Sequence, residues 1–187
     1  MTKAEINGYQ NPWRSRYTRW FGPLADRLFE FGFTPNFISV FTFFIGLLSI
    51  VTLLERNWVL TTILMTVIAG LDMLDGTIAR RHNLITRLGY RLEQILDTVH
   101  TVLLYLSFGI LDLAPWTLII ATIVLIIVTR TLMYKTQFNP GFARFIAFYL
   151  GLVIGFFITT LLVFAWHLLG LAWQLLLLSQ KPKKIHG

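Results

Sequence analysis

Four long apolar runs, at roughly 36–54, 57–80, 86–110 and 115–135, are separated by the short polar stretches "ERNW", "RRHNLIT" and "LDLAP". A helix rises about 1.5 Å per residue and a hydrocarbon core is about 30 Å thick, so each run predicts one membrane-spanning helix. Thr34 is placed to cap the first and Pro35 to take its first helical position. "YKTQFNPGFAR" then predicts a loop around Asn139, Pro140 and Gly141. From Phe145 to Leu178 no residue carries a formal charge. A single helix over that stretch would be about 51 Å long, so two spans are predicted, with a tight break between Phe164 and Gly170 and a short second span.

Ahead of the spans, Trp13, Tyr17, Trp20, Phe21, Leu24, Leu28 and Phe31 recur at helical spacing, with Arg14, Arg16, Arg19, Asp26, Arg27 and Glu30 between them. This predicts an amphipathic helix lying on a membrane surface, with Pro23 as a point of kinking or restart. The fold class is therefore all-α integral membrane: six transmembrane helices preceded by an amphipathic interfacial helix. The expected organisation is a juxtamembrane segment at 1–33, a six-span domain at 34–180 and a basic cytoplasmic tail at 181–187, with no secretory signal peptide at the start.

Composition agrees. The chain is 56% apolar and 13% charged, and its mean hydropathy is +0.67. With no cysteine, thiol nucleophiles and zinc–cysteine sites are excluded. The net charge of +7 gathers at span ends, which points to anionic lipid headgroups and not to nucleic acid. With six spans and a cytoplasmic N-terminus, only Arg56 among the 16 basic residues faces outward.

Against this background the stretch "DMLDGTIARRHNLITRLGYRLEQILD" is anomalous, because it holds four of the nine carboxylates. Asp72, Asp75, Gly76 and Ala79 fall at i, i+3, i+4 and i+7 on one helical face. Gly89, Glu93 and Asp97 fall at i, i+4 and i+8 on the next. A short turn joins the two helices, so the acidic faces can meet. Facing anions repel, and all-oxygen ligands suit Mg²⁺, Mn²⁺ or Ca²⁺. Gly76, Ala79 and Gly89 clear space beside them, for close helix packing or for a substrate, and Arg80 suits a phosphate. The simpler alternative is that the acids pair with Arg80, Arg81, Arg87 and Arg91. Together the residues fit a pyrophosphate-bearing substrate bridged by divalent metal.

The same residues resemble the signature of the CDP-alcohol phosphotransferase family, D-x-x-D-G-x-x-A-R-x8-G-x3-D-x3-D. Spacing matches throughout, and the one departure is Glu93, where the pattern has Asp. The resemblance extends to the surface helix, the "TPN" entry to the first span and the six-span plan. It implies transfer of a phosphatidyl group from CDP-diacylglycerol to a small alcohol, with release of CMP, by an enzyme of phospholipid biosynthesis. It implies that Asp72, Asp75, Glu93 and Asp97 hold two ions, Mg²⁺ or Mn²⁺, and that Asp97 is the general base. Gly76, Ala79 and Arg80 would lie against the CDP moiety, with Asn36, Ser39 and Thr86 contacting the nucleotide. A homodimer, and an active site at the cytoplasmic side of a prokaryotic inner membrane, are further implications.

Arg130 and Arg144 are candidate ligands for a phosphorylated acceptor, while Lys135 fits lipid anchoring. His82 is expected to be solvated, His100 to pack, and His167 to mark the far interface. Gly151 and Gly155 suggest a helix-packing face. Two other readings stay open: a protein that keeps the fold as a binding or partner subunit without catalysis, and a small cation transporter. The transporter lacks a polar path through the far halves of the spans.

Overall fold

The computed structural model describes residues 12–136, 138 and 143–180, and these form seven helices and no strands. The expected tail at 181–187, the residues before 12 and the Asn139–Pro140–Gly141 turn lie outside the described residues. We number the helices α1 (Pro12–Glu30), α2 (Pro35–Leu54), α3 (Trp58–Arg81), α4 (Arg87–Ile110), α5 (Trp116–Thr136), α6 (Ala143–Ile154) and α7 (Phe156–Ser179). The chain divides into two compact units, 1–103 and 104–187.

In the first unit the starts of α2, α3 and α4 have local causes. Thr34 Oγ1 accepts the Phe37 N–H at 3.3 Å and Pro35 occupies the first turn of α2. Asn57 Oδ1 accepts the Leu60 N–H at 3.1 Å and caps α3. Thr86 Oγ1 accepts the Gly89 N–H at 3.0 Å at the start of α4. Arg56 and Asn83, both at positive φ, turn the chain between helices. α2 and α3 pack along each other, and α1 packs on α3. Helix α1 runs unbroken through Pro23. Its Phe21, Ala25, Leu28 and Phe29 pack with Ile38, Leu71, Leu74 and Ile78 of α2 and α3. Part of its apolar face is thus buried on protein, while Trp20 and Phe31 stay 85% and 78% exposed.

In the second unit α7 packs against α5 and α6. The expected break between Phe164 and Gly170 does not exist: α7 runs through it, and the break is at Gly155, whose φ is +92°. The order of lengths is also reversed, with 12 residues in α6 and 24 in α7. The cause is local. Gly155 adopts a backbone that side-chain-bearing residues avoid. The Phe156 ring fills the space over Gly151, which is therefore a seat for that ring and not a packing face for another helix. His167 accordingly sits within α7, buried, with Nδ1 3.0 Å from the Val163 carbonyl.

Among the described residues four helices are long and apolar enough to cross a membrane: α2, α3, Trp116–Met133 of α5, and α7. Helix α4 has the length but carries Arg87, Arg91, Glu93 and Asp97. Helix α6 is about 18 Å long, short of a ~30 Å core.

Candidate active site

The signature residues occupy the cytoplasm-predicted ends of α3 and α4, within the first unit. A cleft there is walled by Pro35, Asn36 and Ser39 from α2, Asp75, Gly76 and Ala79 from α3, Leu84, Ile85 and Thr86 from the turn, and Gly89, Tyr90 and Glu93 from α4. Eight of the residues singled out from sequence therefore line one cavity. Asp72, Asp97 and Arg80 do not line it. Asp72 and Asp97, with Glu93, nevertheless lie within electrostatic reach of Asp75.

Asp75 is the most informative of the four acids. It is 4% exposed. Ser39 Oγ donates to its Oδ2 at 2.6 Å, which holds one oxygen in place. The other, Oδ1, is buried without a hydrogen-bond partner. A buried carboxylate oxygen left unpaired is costly, unless a cation meets it. Among the described residues no three His, Asp or Glu side chains converge into a ready metal cage. The donor set suits a hard divalent cation all the same: the ionisable groups within electrostatic reach of Asp75 are carboxylates, and no thiolate or imidazole is among them.

The glycines shape the cleft. A Cβ on Gly89 would stand 2.7 Å from Asn36 Oδ1 and 3.1 Å from Thr86 Oγ1, so only glycine lets the Asn36 amide approach α4. A Cβ on Gly76 would stand 3.0 Å from Arg80 Nη1. The Arg80 guanidinium thus lies over Gly76, with Nη2 donating to Thr77 Oγ1 at 3.3 Å and Nε to Thr18 Oγ1 at 3.1 Å.

Arg81 turns to α1, donating through Nε to Asp26 Oδ1 at 2.8 Å and through Nη2 to Oδ2. This guanidinium holds the Asp26 carboxyl below its ordinary value. His82 is not solvated as expected: it stacks on Phe29 at 3.9 Å, with Nε2 3.2 Å from Asp26 Oδ1. His100 packs, as expected. It is buried beside Gly46, with Nε2 3.3 Å from Ser49 Oγ.

In the second unit Arg144 is buried with its guanidinium 4.7 Å from the Phe145 ring centre, and half-buried Arg130 lies within electrostatic reach of His167. Sequence reasoning passed over two polar residues. Gln174 is fully buried in α7 and its Nε2 donates to the Thr129 and Phe138 carbonyls, each at 2.9 Å. Thr18 is the other. A lone Gln in an uncharged span is a detectable signal; Thr18 carries none until α1 is docked.

With this geometry in hand, comparison with known proteins is direct. The family model described as CDP-alcohol phosphatidyltransferase matches residues 33–179. A CDP-diacylglycerol–glycerol-3-phosphate 3-phosphatidyltransferase of Aquifex aeolicus is 29% identical over 111 residues, 57% of this chain and 62% of that protein. An archaetidylinositol phosphate synthase of Pyrococcus horikoshii is 28% identical over 101 residues, 54% of each. The chain thus matches between half and two thirds of the length of these relatives. In fold it is similar to Mycobacterium tuberculosis phosphatidylinositol phosphate synthase. The crystal structure of that protein with CDP-DAG bound gives a TM-score of 0.72 at 17% identity, covering 90% of this chain and 98% of that one. Its manganese and citrate complex gives 0.71 at 16% identity, covering 88% and 91%.

Proposed function

Because the chain belongs to the CDP-alcohol phosphatidyltransferase family, and is a multi-pass membrane protein, we propose that it transfers a phosphatidyl group from CDP-diacylglycerol to a small alcohol and releases CMP. The observation that carries this reading is Asp75: a buried carboxylate, held by Ser39, with one oxygen open beside three further acids. Asp72, Asp75, Glu93 and Asp97 would hold Mg²⁺ or Mn²⁺, two ions in all, which when bound supply charge stabilisation at the phosphate oxygens. The remaining work falls to the chain itself. Ser39 orients Asp75. Gly76 and Ala79 admit the donor close to α3, and Arg80 takes up charge on its pyrophosphate. Asn36 and Thr86 meet the nucleotide at the cleft rim. Asp97 takes the proton of the acceptor hydroxyl as that oxygen bonds to the lipid-side phosphorus, and the bond from phosphorus to the CMP oxygen breaks.

We also read α4 and α6 as spans, completing six, with the cleft on the cytoplasmic side of a prokaryotic inner membrane and two chains in the working unit. The remaining exposed side of α1 (Trp20, Leu24), with Phe31 just beyond its end, is read as lipid-facing. Arg130 and Arg144 are assigned to a phosphorylated acceptor. The test is CMP release by purified protein given CDP-diacylglycerol, Mg²⁺ or Mn²⁺ and a pool of acceptor alcohols, against EDTA. Metal-dependent release that needs an acceptor is expected, and Asp97→Asn should abolish it while CDP still binds. CDP binding with no release at any metal concentration would instead favour a protein that keeps the fold as a binding subunit.

A further inference from the structure

Three successive residues at the end of α3 meet α1. Arg80 donates to Thr18, Arg81 is held by Asp26, and His82 stacks on Phe29. Thr18, Gly22 and Asp26 are spaced i, i+4 and i+8, so they form one stripe along α1. Gly22 is part of the fit, because a Cβ there would stand 2.9 Å from Arg81 Nη1. Behind the stripe Ala25 is buried against the α2–α3 core. The register of α1 on α3 is therefore fixed by packing and by the Asp26–Arg81 pair, and Thr18 is delivered to Arg80 as a result.

We propose that Thr18 is a positioning residue for the donor site: it accepts the Arg80 Nε–H and fixes the guanidinium over Gly76, where it meets the donor pyrophosphate. This rests on the role assigned to Arg80 above. An arginine side chain has many rotamers, and holding it in one is unfavourable unless something restrains it. Here two hydroxyls on different helices take part in the restraint. Thr77 receives Nη2, and its own hydroxyl is already committed to the Met73 carbonyl at 2.6 Å, so it is a fixed acceptor. Thr18 receives Nε from the other side. Nη1 lies over Gly76, which lines the cleft. On this account α1 is a working part of the donor site in addition to any contact it makes with lipid.

The test uses full-length protein in lipid nanodiscs, with Thr18→Val, Thr18→Ala, Thr18→Ser, Arg80→Ala and the Thr18→Val/Arg80→Ala double variant. CDP affinity is read by calorimetry, and KM and kcat for CDP-diacylglycerol by CMP release. Losing one hydrogen bond should weaken CDP binding and raise KM about three- to ten-fold for both Val and Ala, with kcat within about two-fold. Serine, which keeps the hydroxyl, should behave as wild type. In the Arg80→Ala background the Val substitution should add nothing. The proposal is overturned if Val and Ala match wild type, if Ser is as poor as Val, or if Val weakens binding equally without Arg80. Wild-type protein that binds no CDP would overturn the donor reading itself, and this proposal with it.

Discussion

Gly89→Ala separates the role of the cleft from the stability of the fold. The new Cβ would stand 2.7 Å from Asn36 Oδ1 and 3.1 Å from Thr86 Oγ1. Ordinary C···O contacts begin near about 3.3 Å, so the Asn36 amide must retreat by roughly 0.6 Å. Asn36 is exposed, and its amide is the far end of a short side chain, so it moves and α4 does not. An off-rotamer side chain costs about 0.5–1.5 kcal/mol. Replacing glycine by alanine in a helix contributes about 0.5–1 kcal/mol the other way. The two nearly cancel, and unfolding stability should stay within about 1 kcal/mol of wild type. Activity has no such compensation. A misplacement near 1 Å can lower turnover about 100-fold, so a fall of about ten-fold or more in kcat/KM for CDP-diacylglycerol is expected, with weaker CDP binding. The assay pairs CMP release and CDP titration with thermal unfolding. Gly70→Ala is the control: it lies within α3 and a Cβ there meets nothing within 4 Å, so it should leave activity unchanged. Full activity in Gly89→Ala, or an equal loss in Gly70→Ala, would refute the reasoning.

Ser39→Ala removes the 2.6 Å hydrogen bond to buried Asp75; metal-free protein should lose about 1.5–3 kcal/mol of stability, measured by thermal unfolding with EDTA, and Mg²⁺ should restore part of it. Glu93→Asp withdraws a cleft-lining carboxylate by about 1.5 Å, roughly one bond length; metal activation should move to at least about ten-fold higher concentration, and an unchanged metal titration would remove Glu93 from the ligand set. The Asp26 carboxyl is held below its ordinary value of 3.8 by Arg81, so its contribution is complete above about pH 4 and is lost as pH falls through the lowered value. The pair is solvent-exposed, so the effect is small and screened by salt; Asp26→Asn should flatten this acid limb in an unfolding series, and an unchanged limb would assign it to other groups.

Much of the architecture was legible because it rests on local rules. Thr34 and Pro35 start α2 as their chemistry requires, and the polar turns before Trp58, Arg87 and Trp116 end runs long enough to span. The signature face was legible because helical spacing alone brings Asp75, Gly76, Gly89 and Glu93 to one cleft. What failed depended on contacts distant in sequence or on one backbone angle. In "GLVIG" two glycines resembled a packing face, but the Phe156 ring makes Gly151 its seat and the positive φ of Gly155 makes the break. His82 looked like a solvated turn residue because Phe29, which covers it, lies more than fifty positions earlier. Thr18 was invisible for the same reason, its partner being Arg80, whereas Gln174 stands out as a lone amide in an uncharged span and only its partners, the Thr129 and Phe138 carbonyls, were hidden.

The geometry also bears on the simplest alternative for the acidic stretch, in which nearby arginines neutralise the acids. Arg81 is committed to Asp26 on α1 and does not line the cleft. Asp75, the most buried of the four acids, has a neutral hydroxyl on one oxygen and nothing on the other. Its charged neighbours in range are Glu93, Asp72 and Asp97, all of its own sign. Like charges within reach of a buried carboxylate are unfavourable unless a proton, a partner or a bound cation neutralises them. Burial raises the cost further, and a single serine does not offset it. A divalent cation at the open oxygen is the compensation that the proposed function requires. On the proposed function the pattern that puts acids into an apolar chain has a reason: one oxygen of Asp75 is left without a protein partner beside a cleft shaped by glycines, where a divalent cation and the donor would meet it.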